Sequence, residues 1–457
     1  MSATSATTPW RSSFAFFYAG QFTAITGLEF ATYCIWGYVA WLYGFPLWVK
    51  VSVFLWYLPF LIAAPFAGSL VDRWGARRSM VVASIAGGLN FMAIALLTVV
   101  GASRAAPILF VLPLYFAVIL KALHLTAFDA SIPFLVPKRS LNKANGMRIV
   151  VTGAAAILGA ALSGPLIGAL GLYGVIAMGC LCYAFALLTL RNLSIARPPR
   201  TAADTAPGSL LKSLLTEFGW AWRYVTDRPG LAPLLVVVAL AHVGLSSSEA
   251  LWNLMALPFA SRDEIILCAV SAAAGITVGT VLTVVLGSVR RLADTILVSS
   301  MLLAGAMVLG SLRPSVALLA ISAFLLLAST PILVGSIQTL MQLKVVPGML
   351  GRTAAMRNLF VVVGFMGTRI VTLLVIVRLI GKDVHAPWLA PVVGAGPGRG
   401  YAAATLVIGI VLAVCFLFVY LRSALRDVEQ NFPDVTPHDA AGQPVSVAAE
   451  VGEAEYR

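Results

Sequence analysis

Long apolar stretches, separated by short polar segments, follow one another along almost the whole chain. A helix needs roughly 20 mostly apolar residues to cross a lipid bilayer. Twelve such stretches fall into two sets of six, with centres near Phe22, Leu58, Phe91, Phe116, Leu158, Leu181, Val243, Gly275, Leu303, Leu325, Ile370 and Ile410. Strands of a β-barrel would instead alternate apolar and polar residues. The pattern predicts an all-α membrane protein with twelve transmembrane helices in two pseudo-symmetric six-helix bundles.

The composition also favours a membrane protein over a soluble domain. Of the 457 residues, 60% are hydrophobic and only 11% are charged, and the mean hydropathy is +0.94. A chain this apolar has too few polar side chains to cover a surface in water. The cysteines lie inside the apolar stretches, so we expect them to be small core residues. Their spacing is not typical of a disulfide framework or a zinc site. We expect no metal and no cofactor.

The net charge of +13 would suit a nucleic-acid partner, but its distribution favours another explanation. Basic residues gather in the cytoplasmic loops of membrane proteins. If the N-terminus is cytoplasmic, few of the 31 Lys and Arg residues lie at outer ends of helices, namely Lys50, Arg104, Arg262, Arg313, Arg378, Lys382 and Arg399. We therefore predict a multi-pass protein of the cell (inner) membrane with both termini in the cytoplasm and no nucleic-acid partner.

The polar segments divide the chain into four parts. We expect an N-terminal bundle, a cytoplasmic linker, a C-terminal bundle and a disordered acidic tail, at residues 1–190, 191–230, 231–421 and 422–457. The first apolar run is longer than the core of a signal peptide, so we expect it to stay as the first helix. Within the linker, Leu210 to Tyr224 has helical spacing and two tryptophans, which predicts a helix along the membrane surface.

A weak internal repeat relates the two halves. Residues 137–148, after the fourth apolar stretch, and residues 347–357, after the tenth, share Pro, Leu, a basic residue and Met-Arg in the same order. Transporters are commonly built from repeated bundles around a central site. The repeat therefore favours duplication and a transport function.

The second apolar stretch ends in the segment 68–78, which reads GSLVDRWGARR. It resembles the G-x-x-x-D-R-x-G-R-R motif of the major facilitator superfamily at Gly68, Asp72, Arg73, Gly75, Arg77 and Arg78. The resemblance implies the major facilitator fold and a gating role for these residues. Gly68 allows a close helix approach, Gly75 a tight turn, and Asp72 a bond to a basic group or a helix N-terminus of the other half. An ordinary basic loop with one acid is the alternative.

A second motif lies on the fifth apolar stretch. Gly164, Pro165 and Gly168 resemble the Gly-Pro pattern of exporters in this superfamily, where small residues let helices pack closely. Ordinary small-residue packing is the alternative. Segments 20–27, 72–74 and 132–145 further resemble the macrolide-efflux and enterobactin-exporter branch. That resemblance implies export of amphipathic antibiotics or siderophores, driven by protons.

Ionisable residues inside a membrane are costly and usually functional. Asp72, Asp129 and Asp294 fall at helix ends, whereas Glu29 and Glu249 lie well inside apolar stretches. We expect these two glutamates to face each other across a central cavity and to carry protons. The alternative for each is an interfacial position near the outer surface.

Basic and neutral groups inside the apolar stretches complete the candidates. His242, on nearly the same helix face as Glu249, suits either a proton relay or a packing role. Lys121 and His124 share a face of the fourth helix, where Lys121 can pair with Glu29, bind an anionic substrate group or extend towards the interface. Arg369 lies deep in the eleventh stretch and needs an anionic partner that the sequence does not identify.

These features favour a transporter over an enzyme. The sequence contains no G-x-x-x-x-G-K-[ST] loop, no H-E-x-x-H and no G-x-S-x-G. We predict a monomeric exporter of a small amphipathic molecule, such as a siderophore or a macrolide-like drug, that works by proton antiport with alternating access. Its partners are then the substrate, protons and the lipid bilayer. A proton-coupled importer and a non-transporting sensor on the same fold are the alternatives.

Overall fold

The computed structural model describes residues 9–43, 56, 58–101, 108–191, 219–228, 230–286, 291–371, 390–394, 396, 398–431 and 434. In this part of the chain the regular structure is helical throughout, with no strand. Short helical turns and helices, at Ile132–Phe134, Lys138–Ser140, 219–226, Pro347–Met349, Ala390–Val393 and Val428–Asn431, join or follow the long helices.

Each half of the sequence forms six long helices. In the N-terminal bundle these are α1 (Pro9–Tyr43), α2 (Leu58–Trp74), α3 (Ala76–Val99), α4 (Ile108–Ser131), and the element Leu141–Arg191, which breaks at Gly171 into α5 and α6. In the C-terminal bundle they are α7 (Leu231–Ala256), α8 (Arg262–Leu286), α9 (Leu292–Ser311), α10 (Val316–Lys344), α11 (Leu350–Val371) and α12 (Arg399–Arg422). The predicted twelve-helix fold is confirmed.

Eight helices in the described part of the chain are long and apolar enough to cross a membrane, by length and composition.

Two glycines set the directions of neighbouring helices. Gly75 has a φ of 83° between α2 and α3, and Gly171 has a φ of 65° between α5 and α6. Residues with a side chain rarely adopt such angles, so the tight turn that the sequence predicts at Gly75 needs glycine.

The two bundles share a core at one end, which we call the Asp72 end. The largest hydrophobic cluster there joins Ala67 and Leu141 of the N-terminal bundle to Leu340 and Met356 of the C-terminal bundle. We call the opposite end, where α1 finishes, the Trp36 end. Towards it each bundle also has a core of its own, one around Ile35 and Phe91 and the other around Leu251 and Tyr401 in the C-terminal bundle. A smaller cluster links α2 and α4 to α11 through Phe60, Val118 and Val362.

The linker and the tail are described only in part. Residues 210–218 of the predicted surface helix lie outside the described residues, whereas 219–226 is helical. There Trp220 and Trp222 are both exposed, and the ring of Trp222 also stacks on Phe360 of α11 with 6.1 Å between the ring centroids. This half of the linker helix packs on the bundle mainly through Ala221 and Val225, which are buried in the shared core.

The sequence predicts a disordered tail from residue 422, and this prediction is wrong for the first part of the tail. Leu425 and Val428 are each 1% exposed, and Val428–Asn431 forms a short helix. These apolar side chains bury against the Asp72 end, which offsets the entropy lost when the segment is ordered. Residues 435–457 lie outside the described residues.

Cysteine labelling tests the orientation that the basic residues predict. Lys143 and Val100 are both exposed, Lys143 near the start of α5 at the Asp72 end and Val100 at the far end of α3. In a background without native cysteines, Lys143→Cys should react with an impermeant maleimide only from the cytoplasm, and Val100→Cys only from outside. The opposite result at both positions would reverse the topology.

Candidate functional site

A cavity of about 250 Å³ lies where the two bundles meet. Both bundles contribute to its wall, which is mostly apolar, with Trp56, Phe60 and Val118 facing Val238, Val334 and Ile337. The polar groups on the wall are Lys121, Arg148, Thr152, His242, Arg357 and Asn358. An apolar pocket with a few polar groups is the usual form of a small-molecule site. Two predicted residues, Lys121 and His242, therefore lie at the candidate site.

Lys121 forms an ion pair with Glu29 between α4 and α1, as the sequence suggested. The side chain of Glu29 is 12% exposed and that of Lys121 is 27% exposed. One helical turn further along α4, His124 Nε2 lies 2.7 Å from Gln21 Oε1 of α1. The two predicted residues of α4 thus both contact α1, and Lys121 also reaches the cavity.

Glu249 and Arg369 form the corresponding pair of the C-terminal bundle, with 2.6 Å between Arg369 Nη2 and Glu249 Oε1. This pair supplies the anionic partner that the sequence could not identify. Glu29 and Glu249 each contact a base of their own bundle, and neither is among the residues that line the cavity. The Glu249 side chain is 58% exposed, so this pair is less buried than that of Glu29 and Lys121.

The closure between the bundles centres on Asp129, whose side chain is fully buried. Its carboxylate pairs with Arg148 of α5 and lies 2.5 Å from Arg357 Nη2 of α11. Removing one partner from a buried ion pair costs about 3–5 kcal/mol. Because Arg357 comes from the other bundle, this three-residue cluster, the Asp129 triad, fastens the two bundles together.

Amide side chains surround the Asp129 triad with further bonds between the bundles. Asn145 Nδ2 donates to Thr339 Oγ1 at 2.9 Å and to Gln342 Oε1 at 2.7 Å, and both acceptors lie on α10. Gln342 Nε2 in turn donates to the backbone oxygen of Asp129 at 2.9 Å. These side-chain bonds add to the Asp129 triad as direct links between the two bundles at this end of the molecule.

Asp72 forms the second link between the bundles, in the manner that its motif predicts. Its carboxylate accepts hydrogen bonds from Gly351 N at 2.8 Å and Arg352 N at 3.0 Å, in the first turn of α11. A helix N-terminus favours negative charge. Gly68 permits this contact, because an added Cβ would lie 2.7 Å from the oxygen of Gly351.

The basic residues of the same motif have other surroundings. Arg77 donates to the oxygens of Leu190 and Arg191 at 2.8 and 2.9 Å and so caps the end of α6. Arg78 is exposed and lies over the Trp74 ring, and Arg73 is half-buried on the last turn of α2. Within the motif, Gly68 and Asp72 contact the other bundle, by close approach and by hydrogen bonds respectively.

The close helix packing expected at the exporter-like motif is corrected for this structure. Gly164 and Gly168 are exposed, with no atom within 4 Å of an added Cβ, and the helix stays continuous through Pro165. Nearer the Asp72 end, Gly146 of α5 does pack closely on Thr283 of α8. The two helices therefore diverge towards the Trp36 end, and the motif lies on the diverging part.

The tail makes a third link between the bundles. Asp434 pairs with Lys138 of the N-terminal half and, at 2.9 Å, with Lys344 of the C-terminal half. Glu429 holds the tail to its own bundle by accepting from Leu292 N and Ala293 N, both at 3.1 Å. Burial raises the pKa of the Asp434 carboxyl, and its bonds with Lys138 and Lys344 more than offset this, so the pKa lies below its ordinary value.

Two six-helix bundles around a central cavity, closed at one end by bonds that cross between them, define a membrane transporter. The sequence profile of the Major Facilitator Superfamily matches residues 43–368, which is more than half of the chain. The protein therefore belongs to this superfamily of transporters and is not an enzyme.

Individual relatives are distant. Macrolide efflux protein A of Streptococcus pyogenes is 24% identical over 348 residues, which cover 75% of this chain and 84% of that protein. A bacterial homologue of the iron transporter ferroportin, in an outward-facing state, gives a TM-score of 0.64 at 15% identity, covering 89% and 98% of the two chains. The fucose:proton symporter FucP of E. coli gives 0.61 at 14% identity, covering 91% and 99%. The structural likenesses establish the fold.

The two arginines of the Asp129 triad are not among the residues that the sequence predicts for the site. Arg148 and Arg357 end the two copies of the internal repeat, at Met147-Arg148 and Met356-Arg357. The signal was present in this pairing, because equivalent positions of two related bundles meet at the axis between them. Asp129 lies in the last turn of α4, so its position in the sequence does not reveal that its side chain is buried.

Replacing Asp72 should loosen the closed end. In Asp72→Asn the amide offers one acceptor to two N–H groups, and an unsatisfied buried donor costs about 1–3 kcal/mol. Labelling of Thr152→Cys in the cavity, by a maleimide confined to the Asp72 end, should speed up about tenfold, and transport should fall severely.

Asp294→Asn is the matched control for Asp72→Asn, since Asp294 bonds Tyr420 and Arg291 of its own bundle. Its labelling rate should stay that of the parent protein. Full transport and unchanged labelling in Asp72→Asn would show that the motif does not gate this protein.

Replacing Asp434 tests the tail link. At neutral pH, Asp434→Asn should lower the free energy of unfolding by about 0.5–1 kcal/mol, as for partly exposed ion pairs. Because the folded pKa is lowered, the stabilisation is complete above the unfolded value of about 3.9 and is lost as the pH falls through the folded value. Thermal unfolding at several pH values measures this, with Asp427→Asn, an exposed acid of the same segment, as control. A pH-independent difference would contradict the assignment.

Proposed function

We propose that this transporter exports a small amphipathic molecule in exchange for protons, by alternating access of the cavity. The observation that carries the proposal is the Glu29–Lys121 pair, which is largely buried and reaches the cavity wall through Lys121. Protonation of Glu29 removes one charge of the pair and leaves Lys121 without its counter-charge. A change in the protonation state of Glu29 therefore changes the net charge next to the cavity in which a substrate binds.

Glu29 is a better candidate for the coupling proton than Glu249. The Glu29 side chain is 12% exposed and that of Glu249 is 58% exposed, so the charge of Glu29 depends more strongly on its protein partner. His242 also lines the cavity, and its Nδ1 donates to the oxygen of Val238 at 2.8 Å. That bond leaves Nε2 as the atom able to exchange a proton with the cavity, so His242 is a candidate relay.

The direction of transport is supported by two independent features. The exporter-like motif at Gly164, Pro165 and Gly168 lies where α5 and α8 diverge, so closing the Trp36 end would bring its small residues against α8. One relative is named for macrolide efflux. With the predicted topology, the Asp72 end is cytoplasmic and the structure is closed to the cytoplasm.

Inverted membrane vesicles with an imposed pH gradient test the coupling. With an acidic interior, we expect the wild type to accumulate members of a panel of fluorescent amphiphiles of different charge. Glu29→Gln keeps size and hydrogen bonding but cannot titrate, so it should lose accumulation against a gradient and keep downhill exchange. Glu249→Gln should retain most of the gradient-driven accumulation.

Two outcomes would contradict the proposal. Unchanged uphill transport in the double Gln variant would remove both glutamates from the coupling. Accumulation only in right-side-out vesicles with an acidic exterior would indicate import by proton symport.

A further inference from the structure

We propose that the transported molecule is an amphipathic anion, whose negative group binds at Arg357 and Arg148 while its apolar part contacts the cavity wall. This inference rests on the proposed function and specifies its substrate class. The side chains that line the cavity include Lys121, Arg148 and Arg357. Among the described lining residues none is Asp or Glu. A cationic ligand would therefore meet three positive groups and no negative one.

The charged groups around the cavity leave one positive charge unbalanced at Arg148 and Arg357. Glu29 balances Lys121, whereas a single carboxylate, that of Asp129, is shared by Arg148 and Arg357. One positive charge thus remains at the end of the cavity nearest the Asp72 end. A buried charge without a counter-charge is unfavourable, and an anionic group of the ligand would neutralise it.

Arg357 also has a free bonding position. Its Nη2 donates to Asp129 and, at 2.7 Å, to Asn358 Oδ1. The Arg357 side chain is only 6% exposed. Its buried Nε has no hydrogen-bond partner among the described residues. A carboxylate suits a guanidinium because two parallel hydrogen bonds form between them.

Asp129 and an anionic ligand compete for Arg357, so the affinity for the ligand depends on whether the Asp72 end is closed or open. In the present state Asp129 holds Arg357, so the affinity for an anion is reduced. When the bundles part at the Asp72 end, Arg357 moves away with its bundle and becomes available. An exporter needs tighter binding on the side from which it loads, and the Asp129 triad supplies this difference for an anion.

The remaining wall limits the ligand to a molecule with an apolar body. Trp56, Phe60, Val118, Leu125, Val334 and Ile337 cover most of the cavity away from the arginines. A small inorganic anion would leave this surface unfilled, and burial of apolar area is the main source of affinity. A carboxylate or sulfonate on an aromatic or aliphatic skeleton fits both parts.

A matched set of probes tests the charge preference. The acid 1-naphthylacetate, its neutral amide 1-naphthylacetamide and the amine 1-naphthylethylamine share one apolar skeleton. Calorimetry with the full-length protein in nanodiscs should give an affinity for the acid about tenfold above that for the amide, as charge-assisted bonds to a guanidinium provide. The amine should bind weakest.

Variants separate this site from a general effect of positive charge. Asp129→Asn removes the competitor and should raise the affinity for the acid about tenfold while leaving the amide unchanged. Arg357→Gln should abolish the preference, and Arg357→Lys should keep part of it. Arg291→Gln, at an exposed arginine outside the cavity, removes the same charge and should behave as wild type.

Equal affinities for the acid and the amide in the wild type, tighter binding of the amine, or no binding of the acid at millimolar concentration would overturn the inference. If Arg357→Gln does not fold, the wild type and Asp129→Asn still decide. Because calorimetry needs no proton gradient, a failed charge preference contradicts only the substrate class. Gradient-independent transport would contradict only the proton coupling.

Discussion

The sharing of one buried carboxylate by two arginines of different bundles is the interaction on which the closed end depends. Asp129 has no access to water, so its charge must be balanced by protein groups. Arg148 does this within the N-terminal bundle, and Arg357 does it from the other side. Separation of the bundles leaves Asp129 with Arg148 alone and deprives Arg357 of its counter-charge. Opening therefore carries an electrostatic cost, in addition to exposing the apolar cluster that the bundles share at this end.

The links at the Asp72 end differ in strength and in depth. The Asp72 carboxylate, 6% exposed, binds backbone N–H groups at the start of α11, while the side chains of Asp434 and Lys138 are 26% and 35% exposed. Salt and solvent screen this partly exposed pair more than the buried links. The pair of Asp434 with Lys138 is accordingly weaker than the bonds of Asp72 and of the Asp129 triad.

The sequence predicts more of the fold than of the site, for a physical reason. Apolar length and basic loops determine how many helices cross the membrane and in which direction, and both are local properties. The Glu29–Lys121 pair was foreseen because both residues are costly in an apolar helix. The Glu249–Arg369 pair and Asp129 were not, since partners on different helices depend on helix rotation, which apolar stretches do not specify. The order of the tail could not be predicted from its polar composition, because it depends on buried Leu425 and Val428 and on the bonds of Glu429 and Asp434 with distant parts of the chain.

The same arginine side chains line the cavity and close the end of the molecule, so binding and closure cannot be independent. A group that engages Arg357 alters the balance at Asp129, and the loss of Asp129 from Arg357 alters the affinity of the cavity. Thermodynamic linkage requires these two effects to be equal in size. Lys121, whose ion pair with Glu29 is largely buried, lies on the wall of the same cavity and adds a further charge there. A transporter built in this way needs no separate signal between its binding site and its gate.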